Sequence, residues 1–342
     1  MMTKTLKLEV ILRVTMLVSM AGAALAQSPE RTPVLTTPRF AFYSDFETNL
    51  NDALIAAGVA RKGGKGELFR SGDEAVCFDK LPPSARAAWN GAVSYYTEII
   101  APVEWNARQQ FLIRMQLAGF DESSKDAGAR QFTDIAGHVR AAAAPAYRAC
   151  RWTAQDAKNR RWLEELKPLL AAHEEKIAPR LQELYGKRWP VLPILMDVVE
   201  TVNWSGATTA WSDAGQGHIL LASEPQGPAA LELVFHESSH ILMDRPDPVR
   251  QALDSAARAA DFRPPGDLWH LVLFYTTGET VRRILEDAGT PGYTPMLYEI
   301  FKRDSWVEYR DALERTWRPY VRGERTLAEA SADLIEALRK PR

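Results

Sequence analysis

Residues 231–244 read Leu-Glu-Leu-Val-Phe-His-Glu-Ser-Ser-His-Ile-Leu-Met-Asp. Wound as a helix, Leu231, Leu233, Val234, Phe235, Ile241 and Leu242 cover nearly every side, so the segment belongs in the middle of a fold and not on its surface. Histidines and a glutamate buried there are costly unless each finds a partner. In His236-Glu237-Ser238-Ser239-His240 the two imidazoles stand four residues apart, on one helix face and aimed at one point. Two neutral imidazole nitrogens suit Zn²⁺. Glu237 lies about 100° round the helix, beside such an ion, where it can take a proton from a water attacking a carbonyl.

The 342 residues are 46% hydrophobic, enough for a sizeable core in one large or two modest domains. A net charge of −2 lacks the basic excess of a nucleic-acid binder. Charged residues at 25% are ordinary for a globular protein.

Lys4, Lys7 and Arg13 precede the apolar run Val-Thr-Met-Leu-Val-Ser-Met-Ala-Gly-Ala-Ala-Leu-Ala, which closes on Ala24-Leu25-Ala26. A basic start, a short apolar run and small residues at the boundary describe a secretory signal peptide over residues 1–26, cleaved after Ala26. The run is short of the ~20 residues a membrane span needs. The expected location is the periplasm or the medium, with no stable membrane insertion after cleavage. Export gives Cys77 and Cys150 a meaning, since an isolated pair in an oxidising compartment is expected to form a disulfide.

Residues 27–39, rich in Pro and Thr, read as a flexible leader. From residue 40 the pattern is mostly helical, with a glycine stop after Asn-Leu-Asn-Asp-Ala-Leu-Ile-Ala-Ala and a helix entry at Pro82-Pro83. Over residues 160–187, Leu163, Leu166, Leu170, His173, Ile177, Leu181 and Leu184 make one apolar stripe on a long amphipathic helix; His173 reads as a core or boundary residue. The near-continuous apolar run over residues 189–204 reads as a buried strand, Ser-Asp-Ala-Gly-Gln-Gly as a turn, and His218-Ile219-Leu220-Leu221-Ala222 as a second strand. Helices are expected over 247–260, 267–288, about 294–302, 305–320 and 326–339. The division expected is a helical region over 27–155 and a second domain over 156–342.

A backing helix, a small sheet, the His-Glu-x-x-His helix and a later helix able to bear a ligand resemble the core of the zincin metallopeptidases. The resemblance spans about residues 160–290. The metzincin extension is missing, because Ile241-Leu242-Met243-Asp244 stands where that pattern needs glycine and a third histidine. The closer likeness is to gluzincins, which implies a predominantly helical α+β fold, Zn²⁺, a peptide or protein substrate and a glutamate as third ligand. It also implies that the strand starting at His218 is the edge strand that pairs with substrate.

Two residues of Gly-Asp-Leu-Trp-His-Leu-Val-Leu-Phe-Tyr-Thr-Thr-Gly-Glu-Thr-Val compete for the third ligand. His270 and Glu279 are nine residues apart, about 180° round one helix, so only one can face the ion. Glu279 is favoured: Gly278 lets the backbone pack closely, Arg283 is placed to hold the carboxylate, and Thr-Thr-Gly-Glu-Thr-Val looks like a gluzincin ligand helix. Asp244, one turn past His240, reads as a solvent-facing helix end. Tyr275, Tyr293 and Tyr298 are candidate oxyanion donors, with nothing to choose among them. The reading is an exported zinc metallopeptidase with Glu237 as general base; the alternative is an exported helical binding protein with a structural or vestigial zinc site.

Overall fold

The computed structural model describes residues 31–339 apart from 64–67, 70–71, 101–107, 121–125, 203–205, 213–214, 245 and 301–306; the signal peptide expected over residues 1–26 lies outside the described residues. The chain divides into two compact units, one made of the residues up to Thr32 with Ala57–Cys150, the other of Pro33–Ala56 with Arg151–Arg342. The architecture is predominantly helical with one small mixed sheet. Among the described residues no helix is long and apolar enough to cross a membrane.

The first unit holds the end of α1 (Phe46–Lys62), α2 (Gly72–Asp79), α3 (Pro83–Tyr95), α4 (Arg108–Leu117) and α5 (Ala127–Tyr147). Helix α1 runs through Gly58, where a stop was expected, because Leu50, Ala53, Leu54 and Ala57 bury one side of it and that burial outweighs the roughly 1 kcal/mol cost of a helical glycine. Helix α3 starts on Pro83, whose missing N–H costs nothing at a first turn. Asp126 caps α5 by accepting from the backbone N–H groups of Gly128 and Ala129. Trp89 of α3 stacks on Tyr147 of α5 with ring centroids 6.4 Å apart. Cys77 on α2 is bonded to Cys150, just past the end of α5.

In the second unit β1 (Leu35–Thr36), β2 (Phe40–Tyr43), β3 (Ile194–Val199), β4 (Ala207–Trp211) and β5 (Gly217–Ala222) form a sheet of order β1-β2-β3-β5-β4. Strands β2, β3 and β5 run parallel; β1 and β4 are antiparallel edges. Two expectations are corrected here. Residues 33–39 are part of the sheet and not a leader, since Leu35 and Thr36 pair with Phe42 and Ala41. The strand starting at His218 is interior, and the edge is β4, whose Ala-Thr-Thr-Ala-Trp carries too few large apolar residues to announce itself.

Helix α6 (Thr153–Tyr185) lies under the sheet and buries the whole expected stripe, from Leu163 through His173 to Leu184. It carries Pro168 and Pro179 inside its length. Asn159, fully buried, ties α6 to the sheet by donating to the Val198 carbonyl (2.9 Å) and to Asn49 Oδ1 (3.1 Å). After the sheet come α7 (Pro228–Leu242), α8 (Pro248–Ala259), α9 (Leu268–Asp287), α10 (Leu297–Ile300), α11 (Val307–Thr316), α12 (Arg318–Val321) and α13 (Leu327–Arg339). The core of this unit joins Phe40 and Phe42 of β2, the α6 stripe, Leu231 to Phe235 of α7 and Leu271 to Tyr275 of α9.

The disulfide closes a loop with a sequence separation of 73, for which chain entropy gives about 4 kcal/mol. Thiol labelling of the purified protein without reductant should find neither cysteine, and Cys77→Ser with Cys150→Ser should lower stability by about that amount in denaturant unfolding.

Candidate metal site

Helix α7 is the buried central helix its sequence requires: Leu231, Val234, Phe235, Ser238 and Ser239 are all fully buried and His236 and Glu237 nearly so. The two serines are reconciled with that burial by their hydroxyls, which donate to the carbonyls of Val234 and Phe235 one turn back, each at 2.7 Å. Ser239 Oγ also meets Thr277 Oγ1 of α9 at 3.0 Å. Helix α9 lies alongside, and Gly278 is where it comes closest: a Cβ there would sit 2.7 Å from Pro295 Cβ and 3.1 Å from Glu232 Oε1.

His236, His240 and His270 converge, with one candidate ligand atom from each lying within 4.8 Å of the other two. Ring centroids are separated by 5.1 Å (His236–His240), 5.6 Å (His236–His270) and 5.0 Å (His240–His270). Phe274 closes the inner side, 3.8 Å from the His236 ring and 4.7 Å from the His270 ring. Trp269 borders the outer side, stacked on His270 at 5.1 Å, and the Arg250 guanidinium lies 3.7 Å over the Trp269 ring.

Burial decides the charge state of this cluster. Desolvation, then His240 and His270, hold His236 well below the ordinary imidazole range. Desolvation, then His270 and Arg250, lower His240 to about 3, and desolvation, opposed by Asp267 and assisted by Arg250, lowers His270 to about 4. All three rings stay neutral through mild acid and keep their nitrogen lone pairs, the form that ligates a metal. Nδ1 of His236 and Nε2 of His270 are buried without a hydrogen-bond partner. Unsatisfied buried nitrogens of this kind call for a ligand.

Glu237 points to the sheet edge. The Thr209 hydroxyl of β4 lies 2.9 Å from the Glu237 carbonyl and 2.5 Å from its Oε2. The carboxylate expected as general base is therefore held against the edge strand.

Glu279, the favoured third ligand in the sequence reading, is not in this group. Its carboxylate accepts from Arg282 Nη2 at 2.6 Å and Nε at 3.1 Å, with Tyr298 and Arg318 nearby. The expected brace, Arg283, is not its partner. The two competing residues do face opposite ways; the packing of α9 turns His270 toward His236 and His240 of α7. No local signal selects His270, because the choice depends on how α9 is rotated against α7.

The candidate oxyanion donors belong to that second cluster. Tyr293 donates to Glu232 Oε2, Tyr298 to Glu314 at 2.8 Å, and Tyr275 accepts from Arg318 Nε at 3.1 Å. His218 is paired with Asp197 on the neighbouring strand at 2.7 Å, both fully buried. His173 sits in the α6 stripe, its pKa lowered by burial and by Lys176. Asp244 is half-buried, and its backbone carbonyl accepts from Lys187 Nζ.

No known family model, curated protein or solved structure matches the chain.

Glu232, fully buried one turn before His236, gives a prediction. Desolvation, and Glu279 more weakly, push its carboxyl from 4.5 up to about 7 despite the hydrogen bonds from Tyr293 and Met296. A carboxyl raised in the folded state stabilises fully below pH 4.5 and loses that contribution as pH climbs through 7, here about 3 kcal/mol at most. Because the lowered His236, His240 and His270 act in the opposite sense, the fall is read as the difference in thermal unfolding between wild type and Glu232→Gln from pH 4.5 to 8. A slope unchanged by the substitution would assign the fall elsewhere.

Proposed function

We propose that the chain is an exported zinc-dependent metallohydrolase of zincin type, acting on amide bonds of peptides, with a three-histidine site. The observation that carries this reading is the convergence of His236, His240 and His270. Support also comes from the order of elements: backing helix α6, mixed sheet with antiparallel edge β4, motif helix α7, ligand-bearing α9. Three neutral imidazoles with a further position open are a donor set that fits catalytic Zn²⁺.

When bound, the ion would lower the pKa of a water and polarise the scissile carbonyl. Glu237 takes the proton from the attacking water and delivers it to the departing amine. Thr209 orients that carboxylate from β4, whose outer edge bears no partner strand among the described residues; an extended substrate can pair there. Phe274 keeps bulk water from the inner side of the histidines. Export rests on the signal sequence.

Protein purified without a histidine tag should carry about one zinc per chain by elemental analysis. His236→Ala, His240→Ala and His270→Ala should each strip it, while Glu279→Gln should retain it. Wild-type protein free of transition metal after growth with zinc ends the proposal, and loss of zinc on Glu279→Gln but not His270→Ala restores the gluzincin ligand set.

Glu237→Gln should keep the metal and lose at least ~100-fold in peptide hydrolysis. Metal without turnover of any peptide by the wild type would favour the binding-protein alternative.

A further inference from the structure

Arg283 does not hold Glu279. It lines a concavity of about 370 Å³ with Lys176 and Arg180 of α6, Thr280, Ile284 and Asp287 of α9, and Val321 and Arg322 at the end of α12. Four cationic side chains from three helices face one acid. Lys176, Arg283 and Arg322 are exposed and have no ion-pair partner among the described residues. Arg180 is fixed in place, pairing with Glu183 and donating through Nη2 to the Val321 carbonyl at 2.7 Å. That bond ties α6 to α12 beside the concavity. Val321 is buried and Ile284 partly so, which makes the floor apolar beneath a cationic rim. With Asp287 as its one carboxylate the concavity carries a local cationic excess that favours an anion, while on their other side Arg283 and Arg322 border Glu279, Glu286 and Glu324.

We propose that this concavity binds a phosphoryl group carried on an organic body. Guanidinium forks match pairs of phosphate oxygens, and a dianion answers the excess of cations better than a single carboxylate. The volume falls in the range of small-molecule sites, roughly 300–1,000 Å³, and leaves room over Ile284 and Val321 for an apolar or ring-shaped body. The ligand is either a soluble organic phosphate or a lipid phosphate headgroup, which share this chemistry.

Calorimetric titration of the mature, metal-replete protein with phenyl phosphate, inorganic phosphate and benzoate tests the assignment, alongside co-sedimentation with phosphatidylcholine vesicles with and without phosphatidic acid. Phenyl phosphate should bind more tightly than either of the other two, with affinity falling as salt rises. Arg283→Gln combined with Arg322→Gln should weaken it about 100-fold, tenfold for each charged fork lost. Both positions are exposed, so an unchanged circular dichroism spectrum and zinc content identify a folded variant. Binding of phenyl phosphate supports a soluble ligand, and sedimentation only with phosphatidic acid supports a headgroup. Wild-type protein that binds neither, benzoate that binds as well as phenyl phosphate, or a double variant that binds like wild type would overturn the proposal.

Discussion

Three hydroxyl groups set the geometry of the candidate site. Ser239 of α7 meets Thr277 of α9, and Thr277 meets Tyr185 of α6 at 3.0 Å, whose hydroxyl also reaches the Leu273 carbonyl at 3.2 Å. In a core built largely of leucine, valine and phenylalanine these contacts are directional, and a slip of α9 would strip them from Thr277 and Tyr185 at a cost of about 1–3 kcal/mol per group, while Ser239 would keep its bond to the Phe235 carbonyl. Thr277 is seven residues past His270, about 20° short of two full turns. Fixing Thr277 against Ser239 therefore fixes the direction of His270 and sends Glu279 the other way. The histidine convergence is a consequence of where these hydroxyls meet.

That dependence explains what the sequence could and could not disclose. Helix α7, the α6 stripe and the helices after residue 246 follow from periodicity, and the His236–Glu237–His240 set follows from spacing on one helix. The disulfide follows from having two cysteines, read together with the signal peptide expected over residues 1–26. The third histidine is different, because His270 and Glu279 lie on the same helix and both are chemically sound ligands. Only the rotation of α9, set by partners 38 and 92 residues away in sequence, decides between them. Strands β1 and β2 were hidden for a related reason. Phe40 pairs with Ile194, and nothing within the short segment Phe-Ala-Phe-Tyr distinguishes a strand from a helix start.

Helix α9 separates two kinds of polar chemistry. On the side of α7, burial among apolar and aromatic groups keeps three imidazoles neutral. On the other side the Glu279 carboxylate lies among Arg282, Arg318 and Tyr298, and it is the partly exposed arginines that pair with it. Had His270 and Glu279 been exchanged, a carboxylate would face His236 and His240 beside Phe274, and an imidazole would lie among Arg282 and Arg318. Glu232 lies between the two and shows the tension. It is buried like the histidines and close enough to Glu279 to be raised further, and it relies on the Tyr293 hydroxyl and the Met296 N–H for its bonding.

The two prolines of α6 have a mechanical consequence. Pro168 and Pro179 are eleven residues apart, about 20° beyond three turns, so they fall on nearly one line along the helix, and both are exposed. Each removes one N–H and crowds the carbonyl four residues earlier, those of Glu164 and Glu175, which are themselves exposed and open to water. Breaking the ladder twice on the solvent side lengthens that side relative to the other, and a helix so treated bows with its convex face outward. In a helix of 33 residues a bow of that sense would let one continuous stripe follow the sheet at one end and helices α7 and α9 at the other.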